Sequence, residues 1–258
     1  MNEHSLKKKL SKLNIGGLRY FDSIGSTNDE ALVWATAGAS DFSIVVADEQ
    51  TQGRGRLDRK WFTPKASGLA FSLVLRLSID LRPHLSRTVG LAALSIAESC
   101  SGLGLTPRIK WPNDILLNGK KTAGILIETV WSGDDVDALV IGMGINVRKS
   151  SVPPTELLQF PATSLEDALG KEAPAREEIL FSVLKAIIHW RERMETDELI
   201  NAWEQLLAFR GEQVRVAGET QITGELLGLE SDGSLRLRDA HNKSVIIRFG
   251  DISLRPSA

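Results

Sequence analysis

An Asn-Gly pair at residues 118 and 119 separates two apolar runs, residues 115–117 and 125–130. The tightest hairpin turns need positive φ at both central positions, and Asn followed by Gly tolerates this best. The chain therefore turns back on itself here as an antiparallel hairpin, and other periodic segments supply more strands and helices. We predict strands over residues 43–47, 68–77 and 139–145, helices over residues 85–100, 177–194 and 198–209, and a helix that begins with a capping box at residues 27–30.

The pattern changes near residue 210. From Gly211 onward, short strand-like stretches (residues 214–216, 226–229, 235–237 and 245–249) alternate with turn residues, which is typical of a small barrel. We therefore predict an α/β fold of the α+β type, in which a mixed sheet with flanking helices is followed by a small C-terminal β-barrel. The predicted boundaries are an N-terminal extension over residues 1–18, a main domain over residues 19–210 and the barrel over residues 211–258.

The charge of the chain is balanced overall and concentrated locally. Lys and Arg total 31, Asp and Glu total 33, and the resulting net charge of −2 does not favour a nucleic-acid-binding protein. Residues 54–60 nevertheless contain Arg54, Arg56, Arg59 and Lys60 against Asp58 alone. A local cluster of cations in a nearly neutral protein suits a small anionic ligand.

Several site types are excluded by composition. The single cysteine, Cys100, excludes an internal disulfide and a cysteine-based zinc cluster, and we expect it to be buried in a helix. The four histidines show no metal-ligand spacing, so no metal-binding residue is assigned. No apolar run approaches the roughly 20 residues of a membrane span, and the lysine-rich start is not followed by the apolar stretch of a signal peptide. We therefore expect a cytoplasmic protein without a membrane partner.

The segment Gly53-Arg54-Gly55-Arg56 is the first candidate for binding. Glycine allows close approach of the backbone to a ligand, and arginine offers paired donors to phosphate or carboxylate. It is neither a P-loop nor a Rossmann fingerprint. A solvated arginine loop or an RNA-contacting arm would have the same composition, so this segment alone leaves these alternatives open.

The segment Lys110-Trp111-Pro112-Asn113-Asp114 is more specific, because five residues combine an ammonium, an amide and a carboxylate. Its structural alternative is a strand-ending turn capped by Asn and Asp. Lys121 precedes an apolar strand, where its ammonium could enter a cleft, although an exposed hairpin lysine is equally compatible. Residues 142–146 end a further strand with two glycines and Asn146, or simply form a turn.

Together these segments resemble the bacterial biotin–protein ligases, also called biotin–[acetyl-CoA-carboxylase] ligases. The matching stretches are residues 26–28, 50–61, 110–114, 121–128 and 142–146, in family order. The resemblance implies a catalytic biotin- and ATP-binding domain followed by an SH3-like barrel, and a short class without the N-terminal DNA-binding domain, so that no DNA partner is expected. It also implies biotinyl-5′-AMP as intermediate, Mg²⁺ as cofactor, and a biotin carboxyl carrier protein, or the carrier domain of a carboxylase, as acceptor.

From the chemistry of this reaction, our candidates for catalytic residues are Lys121 and Arg56, which would offset repulsion between carboxylate and phosphate, and Asp114, which would assist deprotonation of the acceptor lysine. The resemblance itself implies which residues bind the substrates. Biotin would be held by Ser26, Thr27, Asn28, Gln50, Arg54, Gly55, Arg56 and Lys121. ATP and the adenylate would be held by Arg59, Lys110, Trp111, Asn113, Asp114 and Asn146.

One departure concerns the arginine loop, in which Leu57 and Asp58 stand where many members have Arg-Gly. This change removes a cation, adds an anion and loses a glycine, and it bears on how the loop orders over a ligand. Two other functions remain open: a lipoate or octanoate ligase of related fold, and a non-catalytic biotin- or nucleotide-binding protein. A homodimer is possible, since an exposed strand edge near the hairpin could pair with a second copy or with the carrier.

Overall fold

The computed structural model describes residues 1–76, 79–217, 221–248 and 253–256, with the side chains of residues 79–81 and 253–256 excepted. Leu77 and Phe249, which the sequence analysis placed in strands, lie outside this described part. The helices are α1 (Glu3–Leu10), α2 (Thr27–Thr36), α3 (Thr88–Gly102), α4 (Leu165–Leu169), α5 (Arg176–Arg191) and α6 (Asp197–Gln205), with 3₁₀ segments at Ile79–Arg87, Lys149–Ser151 and Thr155–Leu157.

Seven strands form a mixed sheet in the order β1-β2-β3-β7-β6-β5-β4. They are β1 (Gly17–Phe21), β2 (Ser43–Ala47), β3 (Leu69–Leu75), β4 (Pro107–Lys110), β5 (Asp114–Leu117), β6 (Lys120–Ser132) and β7 (Asp135–Ile145). The β1–β2 pair is parallel and the other pairs are antiparallel. The sequence analysis did not predict β1 or β4, which are short and lie at the two edges of the sheet.

Five further strands form an antiparallel sheet in the order β11-β10-β9-β8-β12. They are β8 (Gln213–Ala217), β9 (Ile222–Leu229), β10 (Leu235–Arg238), β11 (Ser244–Ile247) and β12 (Ser253–Pro256). Their position and short length agree with the predicted C-terminal barrel, so the predicted α/β fold with a mixed sheet and a small β unit is confirmed. The exact domain boundaries stay predictions.

The β5–β6 hairpin turns where the sequence analysis placed it. Asn118 and Gly119 have φ values of 50° and 73°, as a turn with two left-handed residues requires. Asp114 pairs with Gly124 across the hairpin. The turn therefore brings Asp114, at the start of β5, close to the residues that begin β6.

Both faces of the seven-stranded sheet are covered, which explains why all five residues of β2 are buried. Ile44 and Val46 belong to the main core, to which α1, α3, α5 and α6 also contribute. Val45 points to the opposite face, where Ala31 and Ala35 of α2 pack. Among the described α-helices, α2 is the one that contributes to this second cluster. In the described part of the chain, no helix is long and apolar enough to cross a bilayer.

Candidate functional site

A cavity of about 460 Å³ opens beside the N-terminus of α2, between the loop that follows β2 and the hairpin β5–β6. All residues that the sequence analysis assigned to the site line this cavity. They are Ser26, Thr27, Asn28, Gln50, Arg54, Gly55, Arg56, Arg59, Lys110, Trp111, Asn113, Asp114, Lys121 and Asn146. Five sequence segments, separated by as many as 120 residues (from position 26 to position 146), thus converge on one place.

The charge of the lining is strongly one-sided. Among the described residues around the cavity, the cations are Arg54, Arg56, Arg59, Lys60, Lys110 and Lys121, and the carboxylate is that of Asp114. An enclosed surface with this excess of positive charge attracts anions and holds two of them close together.

The N-terminus of α2 is held by Gln50 rather than by a capping box. Ser26 is the N-cap, and its side chain makes no capping hydrogen bond. Instead, the Thr27 amide donates to Gln50 Oε1 at 2.8 Å, and the Thr27 hydroxyl lies 3.0 Å from the same oxygen. The predicted capping box at residues 27–30 is therefore wrong, although the helix begins at Thr27 as expected. Gln50 takes over the role that an N-cap side chain would have.

Asn28 is oriented by partners on both sides of its amide. Ser72 Oγ, on β3, lies 2.6 Å from Asn28 Oδ1, while Asn28 Nδ2 donates to Glu128 Oε2 at 2.7 Å. Ser72 is completely buried and also lies 2.8 Å from Thr27 Oγ1. The sequence analysis missed Ser72, because a single serine within an apolar strand has no local signal.

Two glycines of β7 make room for side chains at the cavity. A Cβ added to Gly142 would overlap the Asn28 amide, and one added to Gly144 would overlap the ring of Trp61. Trp61 also lies under the Lys121 ammonium, which is 5.4 Å from the ring centroid. The sequence analysis gave Trp61 no role, but the ring covers the middle of the sheet where the cavity begins.

Asp114 stands between two lysines. Its Oδ1 lies 2.5 Å from Lys121 Nζ and its Oδ2 lies 3.2 Å from Lys110 Nζ, and the Asp114 and Lys110 side chains are 9 % and 5 % exposed. Burial alone would raise the pKa of Asp114, but the charges of Lys121 and Lys110 and their hydrogen bonds outweigh it, and the pKa is lowered. A carboxylate of lowered pKa with both oxygens engaged is a poor proton acceptor. The geometry favours Asp114 as the residue that positions the two ammonium groups.

Asn113 connects the hairpin to the arginine loop. Its Nδ2 donates to the Ile125 carbonyl at 2.8 Å, and its Oδ1 lies 3.4 Å from Arg56 Nη1. Arg56 and Lys121 therefore line the same cavity, as the proposed chemistry requires. Asn113 thus lines the cavity and contacts Arg56 across it.

The arginine loop is closed by its own backbone. The Gly55 amide donates to the Arg59 carbonyl at 2.7 Å, and the Trp61 amide donates to the Gly53 carbonyl at 2.8 Å. Leu57 and Asp58, the two residues that depart from the family pattern, have φ values of 57° and 55°. This left-handed conformation costs a non-glycine residue roughly 1 kcal/mol. The position of Asp58 is the one at which many family members have a glycine.

A segment that the sequence analysis did not assign closes the cavity from the side of β6. Residues Pro153, Leu157, Leu158, Gln159, Phe160 and Ala162 line it. The Lys121 amide donates to the Pro161 carbonyl at 2.7 Å, and the Thr163 amide donates to the Lys121 carbonyl at 2.9 Å. Asn146 Nδ2 donates to the Thr163 carbonyl, so its amide supports this segment. The aromatic ring of Phe160 faces the Lys110 ammonium at 4.7 Å.

The C-terminal sheet touches the site through the turn between β9 and β10. Three consecutive carbonyls of this turn accept hydrogen bonds from the main domain. Ser231 accepts from Arg87 Nε at 2.8 Å, Asp232 from Ser86 Oγ at 2.8 Å, and Gly233 from Trp111 Nε1 at 2.9 Å. Because Trp111 lines the cavity, the C-terminal sheet helps to orient a site residue.

Two other kinds of site, a cysteine nucleophile and a metal centre, can be considered. Burial raises the pKa of Cys100 to about 12, so this thiol is not a nucleophile at neutral pH. Within the described residues, no group of three or more His, Cys, Asp or Glu side chains could hold a metal ion.

Comparisons with known proteins agree with the geometry. Residues 20–146 match the Biotin/lipoate A/B protein ligase family. A biotin–[acetyl-CoA-carboxylase] ligase of Paracoccus denitrificans is 35 % identical over 229 residues, covering 86 % of this chain and 94 % of the relative. A biotin protein ligase from Aquifex aeolicus, solved in complex with biotin and ATP, superposes with a TM-score of 0.81 at 33 % identity, covering 93 % of this chain and 99 % of that chain. A biotin protein ligase from Leishmania major, solved with biotinyl-5-AMP, superposes with a TM-score of 0.59 at 25 % identity, covering 90 % and 99 % of the two chains.

Proposed function

Because the chain belongs to the biotin protein ligase family, we propose that it joins biotin to ATP as biotinyl-5′-AMP and then transfers the biotinyl group to a carrier lysine. The observation that carries this proposal is the cavity lined by six cations and one carboxylate. Biotin and ATP are both anions, and their reaction requires a surface that holds both negative charges side by side.

The first step is attack of the biotin carboxylate on the α-phosphorus of ATP, with pyrophosphate as the leaving group. Lys121, held at 2.5 Å by Asp114, and Arg56, held by Asn113, offset the repulsion between the two anions and the charge that develops in the transition state. Because the ammonium and the guanidinium are already positioned, little reorganisation is needed when the reactants arrive.

Biotin is bound in this proposal at the N-terminus of α2. Hydroxyl and amide groups that suit the neutral ureido ring of biotin are supplied by Ser26, Thr27, Asn28 and Gln50. The arginine loop, with Gly55, lines the same part of the cavity. The nucleotide lies toward Lys110, Trp111 and Arg59. The neighbouring apolar segment with Phe160 and Leu157 shields it from water, which would otherwise hydrolyse the adenylate.

Mg²⁺ is proposed to arrive with ATP. It prefers oxygen ligands and often keeps one or two carboxylates together with substrate phosphates. Asp114 is the carboxylate that the described cavity lining offers, and its oxygens already contact Lys110 and Lys121. The residues present fit an ion held mainly by the phosphates, which would steady the departing pyrophosphate.

In the second step a neutral lysine amine of a biotin carboxyl carrier protein or domain attacks the acyl carbon, and AMP leaves. The outer edge of β6 is not paired with β5 beyond Gly124, and this edge is the proposed place for the carrier or for a second copy of the chain. The cytoplasm remains the predicted compartment.

The decisive experiment is biotin-dependent exchange of labelled pyrophosphate into ATP by the purified chain with Mg²⁺. A ligase exchanges label when biotin is present, whereas a non-catalytic biotin or nucleotide sensor does not. Since the matched family also includes lipoate ligases, biotin and lipoate should be compared in the same assay. Exchange with lipoate but not biotin would replace the proposal by its closest alternative.

A further inference from the structure

Glu128 of β6 contacts two residues of the proposed biotin side without lining the cavity itself. Its Oε2 accepts from Asn28 Nδ2 at 2.7 Å and from Arg54 Nη2 at 2.8 Å, and its Oε1 accepts from Arg54 Nη1 at 2.9 Å. The carboxylate thus lies where α2, the arginine loop and β6 meet. Its side chain is 25 % exposed, so it is partly shielded from water.

The contact with Asn28 determines which way the amide faces. Ser72 Oγ occupies the Oδ1 side at 2.6 Å, and the carboxylate of Glu128 requires a donor on the other side. Rotating the amide by 180° would set Oδ1 against the carboxylate, acceptor against acceptor. The pair therefore holds Asn28 in one orientation toward the cavity, with no adjustment required when a ligand binds.

The contact with Arg54 anchors the arginine loop. The guanidinium binds the Glu128 carboxylate through two parallel hydrogen bonds, a geometry that restricts orientation as well as distance. Hydrogen bonds to Glu128 are the main reason that the pKa of Arg54 is raised. Asp29 adds a contact at 2.5 Å from a carboxylate that is 57 % exposed. Gly55 and Arg56 follow Arg54 directly, so this anchor also places the part of the loop that faces the cavity.

We propose that Glu128 is a positioning residue for biotin, which orients the Asn28 amide and anchors the arginine loop through Arg54. This inference rests on the proposed function, because it takes the N-terminus of α2 as the biotin side of the cavity. In this proposal Arg54 anchors the loop through its ion pair with Glu128, and Arg56 and Lys121 bind the carboxylate of biotin.

Glu128→Gln tests the proposal with almost no change in size. With its oxygen in the place of Oε2, the new side chain can still accept from Asn28 and from Arg54 Nη2. Its NH₂ group then faces Arg54 Nη1, so the ion pair and one of the two parallel hydrogen bonds to the loop are lost. We expect the KM for biotin in pyrophosphate exchange to rise about tenfold, the order of effect of losing one hydrogen bond to a charged group. The KM for ATP should rise less than that for biotin, because Lys110 and Trp111 of the nucleotide side lie outside the arginine loop and only Arg59 belongs to it.

Glu30→Gln is the matched control. Glu30 lies on the same side of the sheet and pairs with Arg19, and these side chains are 23 % and 41 % exposed. The Glu128 and Arg54 side chains are exposed to nearly the same degree, 25 % and 40 %. Both variants remove one Glu–Arg ion pair, but Glu30 does not line the cavity, and its side chain pairs with Arg19, which is not assigned to the site. We expect E30Q to match the wild type in both KM values.

Glu128→Asp keeps the charge and shortens the reach, so its KM for biotin should lie between those of the wild type and E128Q. If E128Q folds poorly, E128D serves as the test of the proposal in its place. An E128Q enzyme that behaves like E30Q, or one whose KM for ATP rises as much as that for biotin, would overturn the inference while the proposed function stands. A wild type without biotin-dependent exchange would instead overturn the proposed function and this inference with it.

Discussion

Replacing Asp114 by Asn removes the charge between Lys110 and Lys121 and keeps the shape of the side chain. The amide can accept a hydrogen bond from one ammonium group, but its NH₂ must then face the other, so the buried Lys110 and the partly exposed Lys121 lose their shared anion. Removing one partner of a buried ion pair costs about 3–5 kcal/mol. For a chain of this size each kcal/mol lowers Tm by ~2–4 °C, which predicts a decrease of roughly 10 °C.

The same change should slow adenylation, because Lys121 is no longer held by a carboxylate at 2.5 Å. We expect biotin-dependent pyrophosphate exchange to fall about a hundredfold, the order of loss when a preorganised electrostatic group is displaced. Exchange should be measured at a temperature well below the Tm of the variant, so that all of it is folded.

Asp48→Asn separates the two effects. Asp48 pairs with Arg176 at 2.5 Å, and these side chains are 6 % and 8 % exposed, so the pair is buried as deeply as that of Asp114. Asp48 does not line the cavity. We expect D48N to lose similar stability and to keep its exchange rate when folded. If D114N lost no more activity than D48N, or if D114N were as stable as the wild type, this account of Asp114 would be refuted.

The stabilisation by Asp114 should depend on pH in a defined direction. Because the folded-state pKa is lowered, the stabilising contribution is complete above the unfolded value of about 3.9 and is lost as pH falls through the lower folded value. Urea titrations should therefore show a constant difference between wild type and D114N from about pH 5 to 8, and a smaller difference below about pH 4. A difference that shrank between pH 6 and 8 would point to another group.

Three further variants test other parts of the site. Arg56→Gly should shorten the retention of labelled biotinyl-AMP on the protein by about tenfold, through loss of charged hydrogen bonds, and unchanged retention in a filtration assay would count against this. Gly144→Ala should raise the KM for biotin, since overpacking against the Trp61 ring costs ~1–3 kcal/mol. Gly102→Ala is the control: a Cβ at Gly102 would meet open space, so both KM values should stay unchanged. Trp111→Phe removes the hydrogen bond to the Gly233 carbonyl, and a rise in KM for ATP but not for biotin is expected; equal rises would argue that the indole only supports the fold.

The family and the main sheet were predictable because their signals are local. Asn118-Gly119 turns the chain through the φ preferences of two adjacent residues. Short runs rich in β-branched and apolar residues, such as those of β2 and β3, indicate strands. The motifs at residues 53–56 and 110–114 are likewise continuous in sequence. All the predicted site residues line one cavity, and the relationship to biotin protein ligases is confirmed, while the role of each residue stays a prediction.

The partners of these residues were not predictable. Gln50 replaces the expected capping box at Thr27, Ser72 and Glu128 orient Asn28, and Pro161 accepts a hydrogen bond from Lys121. None of these partners lies within 20 residues of its target along the chain, so no periodicity or spacing connects them. The left-handed conformation of Leu57 is a further example, because leucine does not favour positive φ on its own.

Short-range preferences of φ, hydrophobic periodicity and residue type therefore decided where this chain turns, which faces it buries and which chemical groups it can offer a ligand. Pairing of the consecutive strands β4, β5 and β6 decided that Asp114 has a lowered pKa between two lysines. Contacts between segments distant in sequence decided that Asn28 is held in one orientation. Such properties depend on charges and hydrogen bonds brought within about 3 Å through space, where burial strengthens electrostatic interactions, and only the folded structure creates that proximity.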